Sequence, residues 1–118
     1  MRILTISLLL TLASVGPALA HAHLKNADPA VGSTVKAAPT AVTIEFSEAV
    51  EPKFSTIAVA DGTGHRVDKD DVHVPGGDAH HLSVDLPGLG AGTYTVTWKA
   101  TAVDTHKTNG TFTFTVAP

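Results

Sequence analysis

The 118-residue chain contains no cysteine. That excludes a disulfide framework, a thiolate metal site and a cysteine nucleophile. A basic surplus is also missing. Eight Lys and Arg stand against eleven Asp and Glu, for a formal net charge of −3, so the footprint that nucleic-acid binding leaves in a sequence is absent. No serine carries the flanking glycines of a hydrolase elbow. Helical periodicity is nearly absent, and no internal repeat or low-complexity tract marks a second domain. The one long apolar run, residues 3–15, falls short of the ~20 residues a membrane span requires.

That run reads instead as part of a leader. Met1-Arg2 gives a positive start, and Ala18-Leu19-Ala20 gives the small-x-small pattern of a signal-peptidase site. Residues 1–20 are therefore expected to be a cleaved signal peptide. Residues 21–118 are expected to form one exported domain, free in the periplasm where the source has an outer membrane, with His21 as its first residue.

The remaining sequence is written in period two. Val42, Ile44 and Phe46 alternate with polar neighbours, as do Ile57 and Val59, and Leu82, Val84 and Leu86. The pattern is clearest in Tyr94, Val96 and Trp98 and in Phe112, Phe114 and Val116, which are interleaved with threonine. Alternation places one face of each strand on a core and the other in water. Threonine suits the wet face because its branched side chain fits the pleat. Turn residues punctuate the runs. Asp61-Gly62-Thr63-Gly64 predicts a tight hairpin into a short strand near residues 65–67. Pro75–Asp78 and Pro87–Gly90 predict reversals, and Asn109-Gly110 predicts a tight turn before the last strand. Short strands at this spacing, without room for crossover helices, indicate an all-β antiparallel sandwich or barrel.

Seven histidines are then conspicuous. A free N-terminal His21 offers its α-amine and its Nδ1, two donors that close a chelate ring on one metal. In the precursor that nitrogen is an amide, so cleavage would create the ligand. Asp104 and His106 lie two apart. In an extended segment they point the same way, which lets a carboxylate and an imidazole reach one ion. Three nitrogens and an oxygen suit Cu²⁺, which also heads the divalent affinity order. Two plainer readings compete. Asp104-Thr105-His106 reads equally as a solvated turn closed by an Asx hydrogen bond, and His21-Ala22-His23 alone is able to wrap Cu²⁺ with amine, amides and the His23 ring. His65, His73, His80 and His81 read as exposed polar residues, with Asp78, His80 and His81 a candidate weak second site.

Taken in order, His21-Ala22-His23-Leu24, Asp28-Pro29-Ala30, Phe46-Ser47-Glu48, Gly92-Thr93-Tyr94 with Trp98, and Val103-Asp104-Thr105-His106 ahead of Gly110 resemble the CopC family of exported copper-resistance proteins. The resemblance runs over nearly all of residues 21–118. It implies a seven-stranded Greek-key β-sandwich, cupredoxin-like or immunoglobulin-like. It implies a copper site made by His21, Asp104 and His106, with His23 beside it as a ligand, an aid to Cu⁺ or a mere neighbour. It also implies a role in copper transport, buffering or resistance, with a CopD-like inner-membrane copper transporter as partner. The domain is expected to be a monomer without enzymatic activity. Some members carry a methionine-rich loop for Cu⁺. Here Met1 is the sole methionine, so a separate thioether site is excluded and any Cu⁺ falls to imidazoles. Two alternatives remain: a small copper-brace oxidase resembling a lytic polysaccharide monooxygenase, and a metal-free adhesion or assembly sandwich.

Overall fold

A computed structural model describes residues 21–118; the expected leader, residues 1–20, lies outside the described residues. The longest alternating runs form the longest strands, β6 (Gly92–Thr101) and β7 (Lys107–Val116). They pair antiparallel from Gly92↔Val116 to Thr101↔Lys107 and leave residues 102–106 as a short connecting loop. β4 (Thr56–Ala60) pairs with the other edge of β6, and the two-residue β2 (Thr34–Val35) pairs with β7. The second sheet sets β3 (Ala41–Phe46) between β1 (Leu24–Asp28) and β5 (His81–Asp85).

The described residues thus form an all-β sandwich of seven strands in sheets of three and four. The first five connections cross from one sheet to the other, and the last is a hairpin. All the apolar residues of the alternating runs are buried, including Val42, Ile44 and Phe46 from one sheet and Val96, Trp98, Phe112 and Phe114 from the other. Phe46 meets Trp98 edge to face across the sandwich, with ring centroids 5.3 Å apart, a favoured aromatic geometry. The phenol of Tyr94, otherwise buried, donates to the Gly90 carbonyl at 2.7 Å.

Three local expectations change. The sandwich is not wholly antiparallel, because β2 runs parallel to β7. A pair two residues long needs no crossover helix, so it leaves no periodic signal along the chain. The Asp61–Gly64 reversal is present, closed by the Asp61 side chain on the Thr63 and His65 amides, but residues 65–67 add only a single bridge, Ala60↔Arg66, rather than a strand. Asn109-Gly110 is not a turn. Both lie inside β7, where Gly110 faces Trp98 across the ladder. A Cβ on Gly110 would sit 2.6–2.8 Å from three atoms of the Trp98 indole. This glycine makes room for a ring, not for a reversal.

One pole of the sandwich gathers the start of β1, the end of β3, the end of β6 and the start of β7. Buried hydroxyls fix its geometry. Ser55 donates to the Glu51 carbonyl and accepts from the Thr101 amide, while the Thr101 hydroxyl donates to the Phe54 carbonyl at 2.9 Å. These bonds pin the one-turn 3₁₀ segment Pro52–Phe54 to the last residue of β6, immediately before the 102–106 loop.

Candidate metal centre

The loop between β6 and β7 is closed on itself. The Ala102 amide donates to the His106 carbonyl at 2.9 Å, and the Thr105 amide to the Ala102 carbonyl at 2.8 Å. Thr105 takes a positive φ of 76° to complete the turn, a conformation a β-branched residue rarely adopts. Asp104 and His106 therefore do not converge through an extended segment. They converge because the Asp104 Oδ1 accepts the His106 backbone N–H at 3.2 Å. The plain reading of this segment as an Asx-type turn and its reading as a ligand pair are one and the same structure. The other Asp104 oxygen lies 3.1 Å from His106 Nδ1. That contact is out of line for a hydrogen bond, and Nδ1 is buried without a partner. The His106 backbone N–H, and then its ring, hold the Asp104 carboxyl below the ordinary carboxylate range, with a smaller contribution from His21.

Residues 21–23 reach this loop from the far end of the described chain. Ala22 is fully buried in the core, and its carbonyl accepts the Thr108 hydroxyl at 2.6 Å. Ser47, just after β3, bridges the segment. Its hydroxyl donates to the His21 carbonyl and accepts the His23 amide, both at 3.0 Å, and its own amide donates to the His23 carbonyl at 2.8 Å. Burying one methyl contributes about 0.8 kcal/mol and each hydrogen bond about 1 kcal/mol, so the segment is held at several points.

The result is a cluster of imidazoles. The His21 and His106 rings meet edge to face, with centroids 5.1 Å apart. His23 stands at the other side of His21, at 5.9 Å, and is itself exposed. His21 Nδ1, like His106 Nδ1, is buried and has no hydrogen-bond partner. Buried polar atoms are nearly always satisfied, so two orphans side by side require a reason. Both are nitrogen donors, and the carboxylate of Asp104 stands beside them, which is the chemistry of a site for a borderline metal ion.

Of the residues singled out in the sequence, His21, His23, Asp104 and His106 are brought together. The remaining histidines lie apart from this cluster. His80 and His81 are brought together at the Asp78 carboxylate, at 3.1 and 3.3 Å, with His81 Nε2 also 3.0 Å from Glu45 Oε2, so Asp78, His80 and His81 do form a separate group, one already engaged in carboxylate contacts. The sequence reading missed Ser47 and Thr108 as positioning residues. A serine after a strand and a threonine within one carry no local signal that they face a segment elsewhere in the chain.

The CopC domain profile matches residues 24–117, beginning at the residue directly after His23. The chain is 40% identical over 110 residues to Protein YobA of Escherichia coli K12, covering 92% of this chain and 89% of that one. It is 38% identical over 107 residues to Copper resistance protein C of Escherichia coli, covering 84% and 83%. The crystal structure of CopC from Methylosinus trichosporium OB3b superposes with a TM-score of 0.78 at 33% identity, covering 83% of this chain and 95% of that one. Profile, relatives and fold agree over almost the whole described chain, and the protein belongs to the CopC family.

Proposed function

We propose that cleavage after Ala20 frees the His21 nitrogen, and that the exported domain then holds one Cu²⁺ ion through the His21 amine and Nδ1, His106 Nδ1 and the Asp104 carboxylate. Copper is the cargo, and the domain serves copper transport, buffering or resistance in the periplasm as a monomeric carrier. An inner-membrane transporter of the CopD kind is the partner to which copper would pass. The single observation that carries this reading is the pair of buried, unpartnered Nδ1 atoms on His21 and His106 beside Asp104. A metal-free adhesion sandwich gives those atoms no partner. His23, at the exposed edge of the cluster, is a neighbour suited to assist Cu⁺ through its imidazole.

An oxidase of the copper-brace type is not favoured. Such an enzyme works on a broad binding face, whereas Tyr94 and Trp98 are both spent on the core. Asp104 would also take a position that an oxidase keeps open. The proposal is tested by copper titration of protein beginning at His21, with electron paramagnetic resonance. Asp104→Ala and His106→Ala should each weaken Cu²⁺ binding and alter the spectrum. One extra residue ahead of His21 should cost much of the affinity. Wild-type spectra from both variants would instead favour the local mode made by His21 and His23 alone.

A further inference from the structure

We infer that Asp71, His73 and Asp85 form a second site for a divalent cation of the Zn²⁺ or Cu²⁺ class, separate from the first. Each offers one ligand atom, and the three atoms lie within 4.8 Å of one another. β5 explains the separation. Its first residue, His81, pairs with Glu45 near the pole of the histidine cluster, whereas Asp85 pairs with Ala41 at the other end of β3. Four residues of strand span about 13 Å.

The histidine sets this group apart from a chance gathering of acids. His73 Nδ1 lies 2.8 Å from the Asp71 backbone carbonyl. A carbonyl only accepts, so Nδ1 is the donor there, and Nε2 is the ring nitrogen left to meet a cation. Metal-bound histidines are held in this way, with the second ring nitrogen donating to a carbonyl or carboxylate. Nε2 stands 4.0 Å from Asp85 Oδ1, too far for a hydrogen bond. Two ligands at about 2.1 Å from a tetrahedral ion lie roughly 3.4 Å apart, so a small contraction would close the group on a cation. The frame is already set. His73 and Ser83 exchange both backbone hydrogen bonds, and Asp71 Oδ1 accepts the Asp85 amide at 2.8 Å. Among the described residues no Lys or Arg nitrogen lies within 4.0 Å of either carboxylate; Arg66 is taken by Asp68 and Asp70. At His80 and His81 the carboxylate contacts are already made at 3.0–3.3 Å, whereas here His73 Nε2 stands open to both carboxylates with no Lys or Arg among them. One nitrogen and two oxygens, with water completing the shell, suit a borderline divalent ion.

The experiment titrates Zn²⁺ into the purified protein while following the imidazole nitrogens by two-dimensional NMR, the His73 signals being identified by their loss in His73→Gln. Zinc should move His73 Nε2 in wild type and in His106→Ala alike. His73→Gln and Asp85→Asn should each weaken that site at least about tenfold, with melting temperatures unchanged because both side chains lie at the surface. A His73 Nε2 signal that does not respond, or zinc shifts confined to His21, His23, His106, His80 and His81, would overturn the assignment. So would zinc affinity undiminished in His73→Gln.

Discussion

Gly110→Ala places one methyl group against the Trp98 indole. Gly110 has no positive φ, so its backbone accepts alanine without strain, and alanine in a strand interior would ordinarily gain about 0.5–1 kcal/mol over glycine. Here the new Cβ would lie 2.6 Å from Cζ2, 2.7 Å from Cε2 and 2.8 Å from Nε1 of Trp98, well inside van der Waals contact. The ring cannot simply swing away, because it is buried and packed on Phe46. Overpacking of this kind costs about 1–3 kcal/mol. The steric cost therefore meets or exceeds the backbone gain, leaving a net loss of up to ~2.5 kcal/mol by those two ranges. Urea unfolding followed by circular dichroism reads the change. At roughly 4–8 °C per kcal/mol for a domain of this size, the melting temperature should also fall visibly. Trp98→Phe removes the ring atoms in collision, so the double variant should lose less than the two single losses combined, with a coupling of about 1 kcal/mol. A Gly110→Ala protein as stable as wild type or more so, with no coupling to Trp98→Phe, would refute the reasoning.

Thr108→Val removes the hydroxyl that holds the Ala22 carbonyl while keeping a good strand former. The lost bond costs about 1–3 kcal/mol. It should weaken Cu²⁺ binding by up to the corresponding ~5–140-fold, whereas Thr108→Ser, which keeps the hydroxyl, should bind nearly as wild type in the same titration. The Asp68 carboxylate has no exposed surface and accepts from Arg66, Val59 and Asp70. Burial opposes its ionisation, but the Arg66 guanidinium and the two amides prevail and hold the carboxyl below its ordinary range. A depressed carboxyl contributes stability above its unfolded pKa of about 3.9 and loses it as pH falls through the lower folded value. Asp68→Asn should accordingly cost about 2 kcal/mol near neutrality, and its deficit in chemical unfolding should shrink in acid. A deficit that stays constant with pH would show that ionisation of Asp68 is not what stabilises the loop.

The strand cores were legible in the sequence because period-two alternation is a property of adjacent residues. Every apolar position it marked, from Val42 to Val116, is buried. The donor types of the candidate metal centre were legible for a similar reason. Imidazoles at residues 21, 23 and 106 and a carboxylate at residue 104 are ligand types wherever they fall. Local pattern also misled where a distant residue decided the outcome. Asn109-Gly110 has the composition of a turn, but the Trp98 ring opposite makes glycine the residue that fits in a strand. For Asp104-Thr105-His106 the local pattern leaves an extended pair and an Asx turn both open, and the side-chain-to-backbone bond makes it the turn.

Only the tertiary structure could bring residue 22 to residue 108, which are 86 positions apart. That contact depends on the order of strands in two sheets, and no window along the chain encodes it. The same holds for Asp71 and His73 in a connecting segment and Asp85 at the end of β5. Alternation sets which way a side chain points, because neighbouring residues share one backbone geometry. Which other side chain it meets is set by burial of the whole core, and that was decided only when both sheets closed on each other.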